Sequence, residues 1–334
     1  MNDGAINPKL SVIIPVYNVL DYVQQAVDSI LNQSEPPFEV IIVNDGSTDG
    51  SGAHVEALYG SNPLVKIIHT ENAGLGPARN VGTRAATGDF IYYFDSDDIS
   101  VDGLIAQFYA TFKNNPDLEI FAFSAESFED QIGKDKKESL QQRVRLITYR
   151  RKMERSFSSG ENAFNALSKI DAFIPNAWLY IYARHLQVDH QLFFLPIIHE
   201  DEEFSPRLFF SAGKTCVTDK VFFQRRVRMG SIMQSSRNEK NAVGYLKACY
   251  ALEGLLPRAT EKDSINNIHA RIIKNILNVI GLEKRSGVKL SAATKSELED
   301  LCKRYNNIDI IISRKSYFAW RVFNLILKKL SLRA

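Results

Sequence analysis

Three aspartates within four positions, Asp95, Asp97 and Asp98, form the group in this sequence that is best suited to chemistry. They follow an apolar, aromatic run at residues 91–94, which is typical of a strand covered on both faces of a parallel sheet. Neighbouring carboxylates repel one another unless a cation neutralises them, and hard oxygen donors suit Mg²⁺ or Mn²⁺. The group therefore predicts a divalent-metal site. The alternative is a solvated acidic turn that caps the next helix.

A second acidic group begins at Glu200 and Asp201 and lies between apolar residues. The dipeptide Ser205-Pro206 has the pattern of a helix N-cap followed by the first helical residue. We therefore expect the acids to precede that helix. The alternative is that they belong to a helix start, where acidic side chains complement the helix dipole.

The elements that must position these groups alternate between strands and helices of about ten to fifteen residues, which predicts βαβ units and a parallel sheet. Open α/β sheets bind their ligands at the carboxyl ends of the strands, so Asp45, after the second strand, belongs to the same edge as the three aspartates. The predicted strands span residues 10–15, 38–43, 65–69, 91–94 and 118–123.

Asp45 and Arg79 each allow two interpretations. The carboxylate of Asp45 can accept the N–H of a pyrimidine edge, or it can form an Asx turn with its neighbours. Arg79 lies near the start of a helix predicted to begin at Pro77, where it can face phosphate oxygens, or it can be a solvated surface arginine. No complete dinucleotide fingerprint and no Walker loop occur in the sequence, so nucleotide recognition would rely on side chains and a metal.

The composition excludes several classes of protein. A net charge of +2 over 334 residues gives no global field for nucleic acid, and the three cysteines are far apart, without zinc-site or disulfide spacing. The first nine residues lack the apolar core of a signal peptide, and no apolar run approaches the ~20 residues of a membrane-spanning helix. We expect a protein of the cytoplasm or of a membrane surface.

Taken together, four ordered blocks resemble the family 2 glycosyltransferases, which are inverting enzymes of the GT-A fold. The resemblance covers roughly the first 125 residues, and its strength comes from the order and spacing of the blocks, since each block alone is a weak signal. The blocks are residues 11–18, 43–49, 72–74 with 78–82, and 88–98.

This resemblance implies roles for most of the residues singled out above. Asp97, together with Asp95, would bind Mn²⁺ or Mg²⁺ at the diphosphate of a UDP-sugar, with Asp95 also near the ribose. Asp98 would orient the donor sugar or support the metal site. The uracil would be held by the backbone at Pro15, Val16 and Tyr17 and by the carboxylate of Asp45.

The resemblance also extends to the second half of the chain. Family 2 enzymes place a Glu-Asp pair where Glu200 and Asp201 stand, so Asp201 would be the base that takes the acceptor proton. Glu200 and His199 are the alternatives. Arg226 and Arg228 precede a Gly-Ser-Ile sequence and would contact the donor or a lipid-diphosphate acceptor. The alternative for these arginines is a strand with solvent-facing side chains.

The last stretch of the chain predicts one basic amphipathic helix. Arg314, Arg321 and Lys328 recur every seven residues among apolar and aromatic neighbours, and residues 314–334 contain no acid. Such a helix is typical of a membrane-surface anchor. The alternatives are a helix docked on the protein's own body or on a second subunit, as in a homodimer.

The sequence thus predicts an α/β GT-A fold, Rossmann-like with a mostly parallel sheet flanked by helices, and a helical C-terminal appendage. We expect a catalytic domain at 1–235, with a nucleotide-sugar half at 1–125 and an acceptor half at 126–235, followed by helices at 236–334. Residues 124–160 are expected to form an insertion above the sheet.

The predicted function is metal-dependent inverting transfer from a UDP-sugar to a glycan or lipid-linked acceptor in capsule or lipopolysaccharide synthesis. The expected location is the cytoplasm or the inner face of the plasma membrane, and no nucleic-acid partner is expected. The alternatives are a nucleotidyltransferase of similar sheet topology and a non-catalytic sugar-nucleotide-binding protein.

Overall fold

A computed structural model describes residues 7–130, 146–227 and 237–331, with side chains described up to residue 326. The chain divides into two compact units. The first comprises Met1–Pro196 and Leu208–Gln234, and the second comprises Ile197–Arg207 and Ser235–Ala334.

The first unit opens with parallel strands joined by helices. The strands lie in the order β3-β2-β1-β4 and run in the same direction, so their carboxyl ends meet at one edge of the sheet. The elements are β1 (Leu10–Val16), α1 (Val23–Leu31), β2 (Glu39–Asp45), α2 (Ser51–Tyr59), β3 (Val65–Thr70), α3 (Leu75–Ala85) and β4 (Phe90–Tyr93).

The sheet continues beyond β4 through strands that come later in the chain. These elements are β5 (Ile99–Ser100), α4 (Leu104–Asn114), β6 (Leu118–Glu129), β7 (Thr148–Tyr149), β8 (Arg155–Phe157), α5 (Gly160–Lys169), β9 (Tyr180–Ala183), α6 (Arg184–Asp189) and β10 (Lys214–Val227). β9 lies antiparallel between β4 and β6, β10 pairs parallel to β6, and β5 pairs antiparallel to β10. The predicted α/β fold with a mostly parallel sheet is confirmed.

Close packing brings the elements of the site edge together. A Cβ at Gly82 of α3 would lie 2.3 Å from Ile13 Cγ2 of β1, so only glycine allows the helix to approach the strand this closely. At the end of β4, the rings of Phe94 and Phe223 meet edge to face at 5.4 Å between centroids, which joins this strand end to β10.

The prediction of an insertion above the sheet at residues 124–160 is wrong for the part that the structure describes. β6 continues to Glu129, and β7 and β8 pair with β6 and β10. The polar composition was misleading because polar side chains of this strand have partners in the fold: Ser124 Oγ donates to Asp219 Oδ1 at 2.8 Å. Residues 131–145 lie outside the described residues.

The second unit is helical in its described part, which confirms the predicted C-terminal appendage. Its helices are α7 (Glu200–Phe209), which begins in this unit, α8 (Glu239–Glu253), α9 (Lys262–Ser286), α10 (Ala292–Arg304), α11 (Ile308–Lys315) and α12 (Tyr317–Ser331). α8 lies so close to the segment before α7 that a Cβ at Gly244 would be 1.8 Å from the Ile198 carbonyl oxygen.

The prediction of one continuous C-terminal helix is wrong. The chain breaks at Ser316, which has extended backbone angles and whose Oγ accepts the Ala319 N–H at 3.2 Å, so α12 has its own N-terminal cap. No helix in the described part of the chain is long and apolar enough to cross a membrane.

Candidate active site

The carboxyl ends of β1 and β2 carry the first group of predicted contacts. Pro15 and Val16 are buried in β1, whereas Tyr17, just after the strand, is 50% exposed. The register pairs Val16 with Asn44, so Tyr17 and Asp45 follow at adjacent strand ends. The structure therefore brings the predicted nucleotide-binding residues of these two strands together.

Asp45 is buried and joins β2 to the loop before α3. Its Oδ1 accepts the Ala73 N–H and its Oδ2 accepts the Gly74 N–H, both at 2.9 Å. The Asx turn that was the alternative interpretation is not what Asp45 makes, since its carboxylate bonds to residues far along the chain; the neighbouring turn is held by Asn44, whose Oδ1 accepts the Ser47 N–H at 3.2 Å. Oδ1 of Asp45 also accepts the Thr70 hydroxyl at 3.5 Å, so Oδ2 is the oxygen that can still accept a donor from a ligand.

Arg79 and Asp95 form a partly buried ion pair. Arg79 Nη2 lies 3.0 Å from Asp95 Oδ1, and the Arg79 side chain is 1% exposed, against 24% for Asp95. The guanidinium lies over the rings of Tyr93 and Phe194, at 5.6 and 5.3 Å from their centroids. The alternative of a solvated surface arginine is therefore wrong.

The helix that carries Arg79 also begins earlier than the sequence predicts. α3 starts at Leu75, so Pro77 is its third residue and Arg79 lies in its second turn. Proline is tolerated anywhere in the first turn because the N–H groups there have no intrahelical acceptor.

Asp98 is the most buried of the three clustered aspartates, and its Oδ1 accepts the Arg226 backbone N–H at 2.6 Å. Burial, together with the charges of Asp97 and Asp95, raises the pKa of Asp98 well above its ordinary value. Burial also raises the pKa of Asp95, against the opposing effect of Arg79. Asp97, which lies between Asp95 and Asp98 in the sequence, is half-buried. For Asp95 and Asp98, the nearby positive charge and hydrogen bonds therefore do not offset the cost of burying a negative charge.

The residues at this edge fit a divalent cation that arrives with a substrate. The Tyr92 hydroxyl is fully buried and has no hydrogen-bond partner within the described residues, and burial together with Asp95 and Asp98 raises its pKa well above the ordinary value. No described group of three or more acidic, histidine or cysteine side chains is arranged to hold a metal alone. Mg²⁺ commonly takes one or two carboxylates and completes its shell with water and substrate phosphates, which this donor set allows.

Arg226 holds the acidic loop from the side of β10. Its Nε donates to the Asp97 carbonyl oxygen at 2.8 Å, its Nη1 lies 2.9 Å from Asp130 Oδ1, and its Nη2 donates to Gln25 Oε1. Its side chain is 3% exposed, so the alternative of a solvent-facing arginine is wrong at this position. Whether Arg226 also contacts a donor stays a prediction, and Arg228 lies outside the described residues.

Sequence reasoning missed three residues of this cluster: Tyr22, Gln25 and Asp130. Tyr22 Oη donates to Asp130 Oδ2 at 3.1 Å, and the rings of Tyr22 and Phe128 lie 5.2 and 4.8 Å from the Arg226 guanidinium carbon. The only signal in the sequence was that Tyr22 and Gln25 stand three positions apart, which places them on one side of a helix.

The sequence of this site can be compared with known families. The family model described as glycosyl transferase family 2 matches residues 11–172. Residues 11–172 belong to this family. A protein of Bacillus subtilis (strain 168) named glycosyltransferase EpsH is 34% identical over 233 residues, which are 68% of this chain and 63% of EpsH. The match thus spans less than two thirds of the length of this relative.

Solved structures of similar fold extend the comparison. Residues 1–349 of S. aureus TarS in complex with UDP-GlcNAc align with a TM-score of 0.65 and 18% identity, over 89% of this chain and 80% of TarS 1–349. The mannosyltransferase PcManGT from Pyrobaculum calidifontis, in complex with GDP-Man and Mn²⁺, aligns with a TM-score of 0.55 and 16% identity, over 96% and 88% of the two chains. At these identities the likeness concerns the fold, and the predicted GT-A fold is confirmed.

The second acidic group is not placed as the sequence predicts. The acids form the first turn of α7, which begins at Glu200, and Pro206 lies inside the helix. The predicted start at Ser205 and Pro206 is therefore wrong, because an acidic first turn complements the helix dipole and one internal proline removes only a single N–H.

The acids of α7 differ in their surroundings. Glu202 pairs with Arg271 at 2.7 Å and Glu203 pairs with Arg207 at 2.6 Å. Glu200 is buried and Asp201 is half-buried at the start of the helix. The structure thus assigns Glu202 and Glu203 to ion pairs within the second unit.

His199, directly before α7, is held by packing. Its φ of 67° is a left-handed backbone conformation, and its ring stacks on Tyr245 with 4.0 Å between centroids. Its Nε2 lies 3.5 Å from Asn241 Nδ2. Burial lowers the pKa of His199 to about 4, so the ring is neutral at neutral pH. These contacts favour a structural role for His199 over that of a base.

Proposed function

We propose that this chain is a metal-dependent inverting glycosyltransferase that moves a sugar from a UDP-sugar to a glycan or lipid-linked acceptor. The observation that carries the proposal is the convergence of Asp95, Asp97 and Asp98 after β4, where burial and mutual repulsion raise the pKa of two carboxyls. A site of this kind is suited to a divalent cation shared with a diphosphate. The family match over residues 11–172 supports the reaction class.

The nucleoside would bind at the ends of β1 and β2. Asp45 Oδ2 accepts one backbone N–H, so it keeps a lone pair for the N–H of uracil. Pro15 and Val16 supply backbone next to it, and Tyr17 has half of its surface available for a base. Arg79 fixes the orientation of the Asp95 carboxylate, which would contact the ribose.

Asp97, with Asp95, would hold Mn²⁺ or Mg²⁺, and Asp98 would support this site from its buried position. When bound, the cation neutralises the charge that develops on the diphosphate, so no separate proton donor is needed for the leaving group. The Mn²⁺ in the PcManGT complex supports this assignment for the fold. Arg228 would also contact the diphosphate.

Asp201 would act as the base, with Glu200 as the alternative. The carboxylate accepts the proton of the acceptor hydroxyl while that oxygen forms a bond to the anomeric carbon. The bond from this carbon to the diphosphate oxygen breaks, and its electron pair leaves on UDP. Attack from the face opposite UDP inverts the centre, as in other inverting enzymes, and converts an α-linked donor into a β-linkage.

The acceptor would be a growing glycan on a lipid carrier, as in capsule or lipopolysaccharide assembly. Support comes from the resemblance to family 2 enzymes, with residues 126–235 supplying the acceptor half. Such an acceptor lies at the inner surface of the plasma membrane, so we place the chain in the cytoplasm with a peripheral attachment there.

The test is a nucleotide-release assay over a panel of UDP-sugars, with GDP-mannose as a comparison, in Mn²⁺, Mg²⁺ or EDTA. We expect UDP release with one UDP-sugar, loss of release in EDTA, and loss of metal-dependent donor binding in Asp97→Ala. Asp117→Ala, which removes an exposed carboxylate elsewhere in the first unit, is the matched control and should behave as the wild type.

Three results would contradict the proposal. Release that is unchanged in EDTA would remove the metal from the mechanism. Release of pyrophosphate when UTP and a sugar 1-phosphate replace the UDP-sugar, without UDP release from any UDP-sugar, would favour the nucleotidyltransferase. Donor binding without release, across a panel of acceptors, would favour the non-catalytic binding protein.

A further inference from the structure

One face of α12 packs on the second unit through polar and aromatic side chains. Trp320 Nε1 donates to Asp309 Oδ1 of α11 at 2.8 Å, and Asn324 Nδ2 donates to the same oxygen at 3.4 Å. Tyr317 lies against α9, where a Cβ at Gly281 would be 2.6 Å from its hydroxyl oxygen. These contacts orient α12 on α9 and α11.

The opposite face of α12 is apolar and exposed. Phe318, Val322, Leu325 and Ile326 are 78%, 40%, 57% and 52% exposed, respectively. Their spacing of four, three and one places them in a single stripe along the helix, which we call the Phe318 stripe. Single exposed apolar residues are common, but a contiguous stripe indicates a surface that is covered by a partner.

The charged residues of α12 and of the end of α11 that leads into it are all basic. Arg314, Lys315 and Arg321 are exposed, and the sequence from residue 314 to residue 334 contains no aspartate or glutamate. An apolar stripe on a helix whose own charges are all basic has the chemistry of a helix that lies in the boundary between lipid headgroups and acyl chains. The cations would interact with anionic headgroups.

We propose that the Phe318 stripe docks the chain on an anionic lipid surface. A second copy of the chain is a poorer partner, because a two-fold contact across this face would bring Arg321 of one copy near the same residue of the other. Four side chains are also far fewer than the roughly 20–30 residues that each partner contributes to a stable protein interface.

The alternative, that α12 docks on the protein's own body, accounts for only one face of the helix. The contacts of Tyr317, Trp320 and Asn324 explain why the helix stays attached to the second unit. They leave the Phe318 stripe exposed. The docking surface would keep the enzyme where a lipid-linked acceptor lies. This purpose rests on the proposed function, whereas lipid binding by the stripe does not.

The test is sedimentation of the full-length chain with vesicles of phosphatidylcholine, alone or mixed with phosphatidylglycerol. We expect binding to the mixed vesicles, and at least about tenfold weaker partitioning for Phe318→Ser/Leu325→Ser. A second pair on the same stripe, Val322→Ser/Ile326→Ser, should show the same loss and guards against a folding defect in the first. Ile265→Ser, at a 38% exposed position of α9, is the matched control and should bind as the wild type.

A separate variant tests whether vesicle binding needs the positive charge of Arg321. Arg321→Gln should weaken binding to mixed vesicles at low salt, with little effect at high salt, where headgroup charges are screened. Wild-type protein that fails to bind mixed vesicles, or stripe variants that bind as well as the wild type, would overturn the proposal. A wild-type dimer that dissociates in both stripe variants would assign the stripe to a second copy of the chain.

The same samples separate this inference from the proposed function. UDP release to a water-soluble acceptor should be unchanged in the stripe variants, because no residue of the stripe is assigned to the proposed nucleotide site. Vesicle binding without UDP release in any sample would contradict the proposed function and leave the docking surface supported.

Discussion

Removal of the Asp130 carboxylate should destabilise the first unit more than most single substitutions. Asp130 pairs with Arg226 at 2.9 Å, and the two side chains are 5% and 3% exposed. In Asp130→Ala, the guanidinium stays buried without the carboxylate that pairs with it, and the Tyr22 hydroxyl loses its hydrogen bond to Asp130. The Arg226 guanidinium keeps hydrogen bonds to the uncharged oxygens of the Asp97 backbone and the Gln25 side chain.

The expected loss is about 3–5 kcal/mol in the free energy of unfolding, which is the usual consequence of leaving one buried charge uncompensated. This is a large share of the roughly 5–15 kcal/mol that holds a typical domain folded. Replacing both partners, in Arg226→Met/Asp130→Leu, removes the charges together and should keep stability within about 2 kcal/mol of the wild type.

The double variant Arg226→Met/Asp130→Leu separates the effect on stability from the effect on the position of the acidic loop. Without Arg226 Nε, the Asp97 carbonyl loses its 2.8 Å hydrogen bond, and the loop that carries the metal-site carboxylates is released. Because misplacement by about 1 Å can lower a rate by about 10²-fold, UDP release should fall by about that factor although the protein stays folded.

Urea denaturation followed by Trp178 fluorescence measures the first effect, in a Trp320→Phe background common to all variants. Trp178 is 4% exposed and stacks on Phe223 in the first unit. Arg150→Met is the control: it breaks a pair with Asp219 whose side chains are 41% and 27% exposed, so it should cost at most about 1 kcal/mol. A loss below about 1 kcal/mol in Asp130→Ala, or full activity in the double variant, would refute the reasoning.

Three further changes test other parts of the molecule. Asp201→Asn should bind donor with unchanged affinity in titration calorimetry while kcat falls by at least about 10²-fold, and normal turnover would move the base to Glu200. The pKa of His199 is lowered from 6.5 to about 4, so the unfolded chain binds more protons between these values, and stability should fall as the pH is lowered from about 6.5 to 4, by up to about 3 kcal/mol. Urea midpoints measured across this range should be flatter for His199→Gln, and an equal slope would contradict the assignment. Asp98→Asn should raise the melting temperature without added cation, because it removes one of three crowded charges and keeps an oxygen for the Arg226 N–H, and it should weaken Mn²⁺-dependent donor binding. A lower melting temperature without cation would count against charge crowding.

Several features were determined by the sequence alone. The apolar runs at β1, β2 and β4 and the helices between them predict a parallel sheet, and chain connectivity then places Asp45 and Asp95 at one edge. These predictions succeed because strand burial and the direction of βαβ units follow from local patterns. The membership of residues 11–172 in family 2 follows from the same local blocks.

Only the tertiary structure decided which charges meet. Arg79 pairs with Asp95 across 16 positions, and Arg226 reaches Asp98 and Asp130 across 128 and 96 positions. A local pattern reports whether a side chain is buried, but not which distant group is buried beside it. The start of α7 and the face of α12 left exposed were likewise undecided, because helix ends and docking faces depend on contacts with residues far along the chain. Local periodicity therefore set the elements and their order, and long-range packing set the electrostatics of the site.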